Sequence, residues 1–351
     1  MTVSSSTVSD RTEAELIALI QAQLAPPPAW LTIGIGDDAA AMEPARNRLE
    51  VVTVDALVEG VHFERRFTPP DAIGHRALAV NLSDIAAMGA EPRGALLSLA
   101  LPSDLLLDDF TEMTTGFARL ATASRVSLIG GNLTRTPGPM MIDVTVFGTA
   151  KRRQLLARSG ARPGDDVFVS GTVGAAAAGL ARLTRDTPAS SGARFPSAAD
   201  VPSAESACVD RYLRPVPRLR LGMLLGRNRA ATACVDLSDG LADAAYQIAR
   251  SSEVGLVVDG SAVPIDAEAQ AWFDSHDSDP LVAAATGGDD YELLFTVRPR
   301  LRNRLKTVAA QAGMPLTRIG VCTSDRAVVW RRRRAGGAAE EPMPLGYRHF
   351  R

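Results

Sequence analysis

Cysteine is scarce in this chain, and the few that occur lie far apart. The three cysteines, Cys208, Cys234 and Cys322, form no closely spaced pair. This spacing argues against both a disulfide framework and a cysteine metal site, and it predicts reduced thiols, as in a cytosolic protein. No uninterrupted apolar run is long enough for a membrane-spanning helix. We therefore expect a cytoplasmic protein without a membrane partner.

An excess of basic charge is absent as well. The chain has 38 Lys and Arg against 40 Asp and Glu, which gives a net charge of -2. This balance argues against a nucleic-acid partner. The most basic run, Arg331–Arg334, has no aromatic residues interleaved with it and is predicted to be an exposed hairpin tip. The apolar fraction of 46% is that of an ordinary globular protein.

Several nucleotide and hydrolase motifs are missing. The glycines Gly171 and Gly174 lack the lysine of a phosphate-binding P-loop, and the H-R-D and D-F-G segments of protein kinases do not occur. Gly34-Ile35-Gly36 leads into aspartates, where a dinucleotide site would need a helix N-terminus. There is no G-x-S-x-G elbow, and the four histidines show no metal-pair spacing. These absences exclude the commonest nucleotide-binding and hydrolase schemes.

Aspartates that follow or interrupt apolar segments are the feature that is present. Asp37 and Asp38 come directly after the apolar run Leu31–Ile35, and none of the acids of this kind has a basic neighbour in sequence. The set is Asp37, Asp38, Asp55, Asp84, Asp236 and Asp239. A buried charge is costly without a counter-charge, so a hard divalent cation such as Mg²⁺ is one explanation, and aspartates capping local turns are the other. Converging acids would suit phosphoryl transfer.

The length and the element pattern predict two domains of mixed α/β (α+β) structure. We expect a disordered lead-in over 1–11, an N-terminal domain over 12–150 and a C-terminal α/β domain over 151–351, with Lys151–Arg153 at the boundary. Strands are predicted at 31–35, 49–55, 94–101, 127–129, 140–149, 166–170, 233–237 and 291–297. Helices are predicted at 71–88, 108–124, 174–183, 218–225 and from about 241 to 250, with another capped by Asp10 and Glu13 and a mobile loop over 187–206.

A series of motifs in order resembles the thiamine-monophosphate kinase family, within the aminoimidazole ribonucleotide synthetase superfamily. The resemblance runs from about residue 30 to residue 350. The segments that carry it are Gly34–Ala40, Thr53–Asp55, Glu59–Phe63, Ala79–Ala90, Gly130–Asn132, Leu156–Gly160, Asp236–Gly240, Gly287–Leu293 and Gly346–Tyr347. Each motif is weak by itself, whereas their order along one chain is specific.

The resemblance implies ATP-dependent phosphorylation of thiamine monophosphate to thiamine diphosphate by direct in-line transfer. It implies a two-domain fold whose N-terminal mixed sheet pairs with that of a second chain in a homodimer. Several Mg²⁺ ions would be held by Asp38, Thr53, the Val54 carbonyl, Asp55, Asp84, Asn132, Asp236 and Asp239. ATP would contact Gly131, Asn132, Arg158 and Ser238, and the substrate would contact His62, Asp289 and Tyr347. No residue is expected to act as a general acid or base.

Two positions depart from the family pattern. Asn132 stands where the family usually has Asp, and Asp289 stands where it often has Glu. An amide oxygen can ligate Mg²⁺ but carries no charge, so one metal would bind more weakly. Two alternatives stay open at this point. One is another ATP-using synthetase of the same superfamily, and the other is a catalytically silent nucleotide-binding homologue.

Overall fold

The computed structural model describes residues 6–188, 195–334 and 337–347. The chain divides into two compact units. Unit 1 comprises 1–82, 92–149 and 183–204, and unit 2 comprises 83–91, 150–182 and 205–351. The main division at 149–150 lies one residue from the predicted boundary, but 183–204 returns to unit 1 and 83–91 groups with unit 2. The predicted mixed α/β class with two domains is confirmed.

Unit 1 contains a four-stranded sheet and the helices packed on it. Its elements are α1 (Glu13–Gln21), β1 (Leu31–Ile33), β2 (Ala41–Met42), β3 (Leu49–Val58), α2 (Pro70–Ala87), β4 (Glu91–Pro102), α3 (Leu107–Ser124), β5 (Ser127–Thr136) and β6 (Met141–Ala150). The last turn of α2, residues 83–87, groups with unit 2. The strand order is β3-β6-β4-β5, and β1 pairs with β2 in a separate two-stranded sheet. Gly74 of α2, Met113 of α3, Leu97 of β4 and Ile142 of β6 line one small cavity, so both helices cover the same face.

Unit 2 is built on a seven-stranded sheet of order β13-β12-β9-β11-β7-β10-β8. Its strands are β7 (Asp166–Ser170), β8 (Ala233–Asp236), β9 (Gly255–Asp259), β10 (Leu293–Val297), β11 (Leu316–Thr323), β12 (Val328–Arg334) and β13 (Gly337–Pro342). Its helices are α4 (Ala175–Asp186), α5 (Ala207–Leu213), α6 (Leu219–Asn228), α7 (Leu241–Ser252), α8 (Ala267–Asp274), α9 (Pro280–Thr286) and α10 (Arg302–Ala312). The strand β10 runs antiparallel to both β7 and β8.

Alternate residues of the central strands enter different cores. Val167 and Val169 of β7 join one buried cluster with residues of α7, whereas Phe168 between them joins a second cluster with residues of α6 and α10. Side chains alternate between the two faces of a strand, so this division means that helices cover both faces of the sheet. A continuous apolar run such as Val167–Val169 is typical of a strand buried on both sides.

Several predicted elements need correction. The cap of α1 is Thr12 with Glu15, not Asp10 with Glu13, because the Thr12 side chain accepts from the Glu15 N–H while Glu15 bonds back to the Thr12 N–H. Residues 6–11, expected in a disordered lead-in, include a 3-10 helix, Val8–Asp10, whose first N–H donates to the Leu105 carbonyl at 2.9 Å. The strand predicted at 127–129 continues to Thr136.

The segment predicted as a mobile loop over 187–206 is anchored at a few buried side chains where it is described. Residues 189–194 lie outside the described part of the chain. Beyond them, the side chains of Phe195 and Val201 are buried, and the Arg65 guanidinium lies 5.1 Å from the centre of the Phe195 ring. These apolar anchors are hidden among Pro, Ser and Ala in the sequence. None of the described helices is both long and apolar enough to cross a membrane.

Candidate functional site

Strand β3 presents two of the predicted metal residues on one face. Thr53 and Asp55 are half-buried and two residues apart, so their side chains point the same way. Val54 between them points to the opposite face and is 57% exposed. The valine can therefore contribute to a site facing Thr53 and Asp55 only through its backbone.

The loop that carries Asp38 is not buried. The run predicted as strand 31–35 pairs with the short β2 over Leu31–Ile33, and Ile35 forms an isolated bridge with Asp37. Asp37 and Asp38 are both exposed, and the Asp37 carboxylate accepts the Asp38 N–H at 2.8 Å. The expectation that these carboxylates lie against buried chain is therefore wrong. The local capping predicted as the alternative is present at Asp37.

Gly131 and Asn132 lie inside β5, in the stretch expected to be a loop. They align with Leu97 and Ser98 of the parallel strand β4. A Cβ on Gly131 would come within 1.9 Å of the Leu97 carbonyl oxygen, so the close strand contact requires glycine. The strands β5 and β3 are the two edges of this sheet, with β6 and β4 between them. Asn132 and Asp55 are thus separated by three strand spacings, roughly 14 Å, too far to share one ion across the sheet.

His62 is held by the chain just before it. Its Nδ1 accepts the Val58 N–H at 3.0 Å, and the ring is half-buried beside the buried Phe63. Because Nδ1 is the acceptor, the proton of the neutral imidazole is on Nε2. The turn over Glu59–Phe63 therefore fixes both the orientation of the ring and its tautomer.

In unit 2, Asp84 and Asp236 form an interacting acidic pair. Asp236 ends β8 and is buried, and its Oδ2 accepts the Ser83 hydroxyl at 2.7 Å. Burial, reinforced by the negative charge of Asp84, raises the pKa of Asp236 to about 7, while the Ser83 hydroxyl and the positive charge of Arg158 act in the opposite direction. Asp84, Asp236 and Arg158, predicted from separate motifs, thus belong to one electrostatic cluster.

Two loops bring the remaining predicted residues of unit 2 together. The Asp289 N–H donates to the Ser238 carbonyl at 2.8 Å, and the Tyr347 N–H lies 3.4 Å from the Asp239 carbonyl. The Asp289 carboxylate also accepts the Tyr291 hydroxyl at 3.0 Å. Both Asp289 and Tyr291 have positive φ, 70° and 49°, an uncommon conformation for residues other than glycine. The strained loop therefore holds Asp289 against Ser238, next to the end of β8.

The acidic residues of the predicted metal site suit Mg²⁺, an ion that needs only a few carboxylate ligands. Within the described ranges, no three His, Cys, Asp or Glu side chains are grouped closely enough to hold one ion. Mg²⁺ commonly takes only one or two carboxylates and completes its shell with water and phosphate oxygens. The buried Asp236 and the half-buried Asp84, whose negative charge acts on it, have the chemistry of such a site.

Sequence reasoning missed a buried ion cluster beside this site. Glu292 is fully buried, and its carboxylate accepts from Ser170 Oγ at 2.6 Å, from Arg211 at 2.9 Å and from Arg218 Nε at 2.7 Å. Arg211 also donates to the Asp290 carbonyl at 3.1 Å, so the cluster braces the loop that carries Asp289. The available signal was Glu292 itself, a charged residue at the start of an apolar strand.

Family descriptions match both halves of the chain. The AIR synthase related protein N-terminal domain matches residues 36–150, and the corresponding C-terminal domain matches residues 162–331. The thiamine-monophosphate kinase of Bacillus subtilis is 37% identical over 288 residues, covering 82% of this chain and 84% of that protein. The enzyme of the same name from Escherichia coli K12 is 36% identical over 295 residues, covering 84% and 85%.

Solved structures agree with these matches. The thiamine-monophosphate kinase of Stenotrophomonas maltophilia has a TM-score of 0.77 at 40% identity and covers 93% of this chain and 98% of that one. AaThiL complexed with AMPPCP and TMP has a TM-score of 0.72 at 31% identity and covers 98% of each chain. The identity and coverage extend through both domains. The chain therefore belongs to the thiamine-monophosphate kinase family, whose members are phosphotransferases of the AIR synthase-related fold.

Proposed function

We propose that this chain transfers the terminal phosphoryl group of ATP to thiamine monophosphate, giving thiamine diphosphate. The observation that carries the proposal is the likeness, over 98% of the chain, to a structure that holds an ATP analogue together with TMP. The half-buried Asp84 and the buried Asp236 lie in unit 2, and the positive charge of Arg158 acts on Asp236. A site that combines carboxylates and arginine in this way suits Mg²⁺-bound phosphates.

Charge is the main obstacle in the proposed reaction, because a nucleotide triphosphate must approach a phosphate monoester. Mg²⁺, when bound, would offset the negative charge of the phosphates. Asp84 and Asp236 would hold it in unit 2, with Asp239 as a further candidate, and Asp38, Thr53, the Val54 carbonyl, Asp55 and Asn132 would be the candidates in unit 1. Arg158 would add a fixed positive charge for the phosphates of ATP, beside contacts from Gly131, Asn132 and Ser238.

The chain's own residues would act mainly by positioning. Ser83 fixes one oxygen of Asp236 through its 2.7 Å hydrogen bond. The Tyr291 hydroxyl and the Ser238 carbonyl fix Asp289, which we assign with His62 and Tyr347 to the substrate. The acceptor is already an anionic phosphate, so a general base is not needed, and we propose direct in-line transfer without a phosphoenzyme.

We also propose that two copies of the chain pair through the sheet of unit 1. The strand β3 is an edge of that sheet. Its outward side chains include Val52 and Val54, each 57% exposed, and Met141 of β6 is 42% exposed. Exposed apolar side chains on adjacent strands are typical of a surface that is covered by a partner. A second copy that pairs its own β3 face there would bury both sets.

The test is formation of ADP and thiamine diphosphate by the purified chain. With MgATP and thiamine monophosphate we expect the two products in equal amounts, and we expect ADP formation to fall to background when thiamine monophosphate is left out. Asp84→Asn removes a charge from the acidic pair, so we expect it to lower kcat at least 100-fold while the fold is retained. Chromatography of both products measures the stoichiometry.

Asp104→Asn is the matched control, because it removes the same charge from an exposed turn of the other unit. We expect it to leave kcat within twofold of the original chain. Binding of MgATP without any turnover would overturn the kinase proposal in favour of a silent nucleotide-binding protein. Turnover of ATP only with a carboxamide or selenide acceptor would instead indicate a sister synthetase activity.

A further inference from the structure

Unit 2 has a large polar cleft that the proposed reaction does not use. Its volume is about 1000 Å³. Its walls come from the loop Gly160–Arg162, from Ala231 and Thr232 before β8, from Ser251–Glu253 at the end of α7, and from the segment 298–304 around the start of α10. All of these residues belong to unit 2, so the cleft is formed within one compact body.

The cleft is lined by arginines and almost no acids. Five arginines contribute to its walls: Arg162, Arg229, Arg298, Arg300 and Arg304. The one acidic lining residue, Glu253, is paired with Arg326 at 2.8 Å. The Arg304 guanidinium lies 3.4 Å and 3.5 Å from the carbonyls of Asn228 and Arg229. Over the described part of the chain, none of the five arginines is ion-paired with a carboxylate. The cleft therefore carries an uncompensated positive charge.

The four arginines of the segment 298–304 have two different environments. Arg302 in its middle turns to Asp166 and forms hydrogen bonds of 2.7 and 2.9 Å with the two carboxylate oxygens. Burial, two arginine hydrogen bonds and two positive charges act on Asp166, and their net effect lowers its pKa. The arginines near Arg302 in sequence, Arg298, Arg300 and Arg304, line the cleft instead. Arg302 therefore has a structural role as the partner of Asp166. That role does not account for the three other arginines of the segment.

The cleft is separate from the phosphate site proposed above. The helix α7 begins at Leu241, two residues after Asp239, and its last turn reaches the cleft at Ser251 and Ser252. A helix of 12 residues is about 18 Å long, so the two sites lie at opposite ends of α7. A ligand in the cleft would therefore be a second ligand, and not the nucleotide at Asp236.

The chemistry of the walls selects the ligand. Guanidinium groups bind phosphate oxygens through two parallel hydrogen bonds, and several of them favour an anion with several phosphates. A volume of about 1000 Å³ is large for a single phosphate and is suited to a molecule of nucleotide size. No Phe, Tyr or Trp lines the cleft, so the stacking platform that single-stranded nucleic acid uses is missing. We propose that this cleft binds a small anion carrying at least two phosphate groups.

Titration calorimetry with inorganic tripolyphosphate tests the proposal. The buffer contains EDTA, so that the acidic site near Asp236 has no metal and repels the anion. We expect one site per chain for the original protein, and at least a tenfold weaker affinity for the double variant Arg298→Gln/Arg300→Gln. The matched control is Arg152→Gln/Arg153→Gln, which removes the same charge from exposed positions of unit 2 outside the cleft. We expect the control to bind within twofold of the original.

Three results would overturn the proposal. The first is no measurable binding to the original chain, or equal affinity in the cleft variant. The second is an equal loss in the control pair, which would mean that the anion senses only net charge. The third is a twelve-nucleotide RNA that binds more tightly than tripolyphosphate and is not displaced by it, which would indicate a nucleic-acid surface. Both variants replace residues at the surface, and thermal unfolding checks that each one is folded.

Discussion

At the scale of single residues, neighbouring aspartates have different tasks. Asp289 is predicted to contact the substrate, whereas the side chain of Asp290 points into the fold and is buried. Its two oxygens accept the Gly174 N–H at 2.7 Å and the Ala176 N–H at 3.2 Å, at the start of α4. A carboxylate that caps a helix N-terminus is favoured by the orphan N–H groups there. Of the adjacent residues Asp289 and Asp290, the first thus has a predicted functional role and the second has a structural role.

Burial makes Asp290 a pH-sensitive residue. Desolvation, with help from the negative charge of Glu292, raises the pKa of Asp290 from 3.8 to about 7, against the effects of the two N–H donors and Arg211. Between these two pH values the unfolded chain releases this proton and the folded chain keeps it. The contribution of Asp290 to the free energy of unfolding therefore falls as pH rises from about 4 to 7, by on the order of 4 kcal/mol.

Asp290→Asn should remove this dependence. The amide loses one acceptor, so we expect the variant to be less stable than the original at pH 4.5. The difference in the free energy of unfolding between the original chain and the variant should be smaller by a few kcal/mol at pH 7.5. At that pH only the original chain carries the cost of a buried charge. Urea unfolding at both pH values measures this difference. A difference that stays constant would contradict the prediction, and Asp104→Asn, an exposed acid, should show no change.

At the scale of elements, α2 and α3 approach each other so closely that their backbones touch. A Cβ on Gly74 would lie 1.8 Å from the Met113 carbonyl oxygen, and one on Gly116 would lie 1.9 Å from the Asp71 carbonyl oxygen. The reciprocal contacts show that two glycines, one on each helix, form the crossing. The sequence predicted both helices to within one residue at each end, but their crossing point depends on residues 42 positions apart and was not predictable.

Gly116→Ala tests the crossing. Alanine is intrinsically favoured over glycine in a helix by about 1 kcal/mol, so an uncrowded site would gain stability. Here the added methyl group would clash with the backbone of α2, which cannot move away as a flexible side chain could. Overpacking of this kind costs roughly 1–3 kcal/mol or more. We expect a net loss of about 2 kcal/mol in urea unfolding. Gly138→Ala, whose nearest contact would be the Thr136 hydroxyl at 3.7 Å, should cost little by comparison. A stabilised Gly116 variant would contradict this account.

At the scale of the whole molecule, the chain consists of two units with sheets of different exposure. The seven-stranded sheet of unit 2 is covered by helices on both faces, as its two buried clusters show. The four-stranded sheet of unit 1 has α2 and α3 on one face and exposed valines on the edge strand β3. An uncovered apolar strand is a liability for a protein that remains a monomer.

Val52→Lys tests the proposed pairing of chains. A lysine in the centre of an apolar interface would leave a buried, unpaired charge. We therefore expect the dissociation constant of the dimer to rise at least 100-fold. Sedimentation over a range of concentrations measures the change. Val216→Lys is the matched control, because Val216 is also exposed, at 50%, but lies in unit 2. A monomer at all concentrations before substitution, or a dimer unaffected by Val52→Lys, would contradict the proposal.

The sequence by itself determined the local features, because these depend on neighbouring residues. The apolar run of β7, the end of α2 before Gly89 and the ordered motifs that identify the family all lie within short segments. Predicted roles such as those of His62, Arg158 and Tyr347 come from the motifs and remain predictions. Where the local signal was weak, the prediction was wrong, as for β5, which continues through Gly130 and Gly131 because β4 supplies its partners.

Only the tertiary structure decided which distant residues meet and which are buried. It paired Ser83 with Asp236, 153 positions later, and it placed two arginines on Glu292. It left Asp38 exposed and set Asn132 and Asp55 on opposite edges of one sheet. It also gathered the arginines of the cleft from three separate segments. Burial and long-range charge depend on how elements pack, and a sequence pattern fixes the face of an element but not the neighbour that covers it.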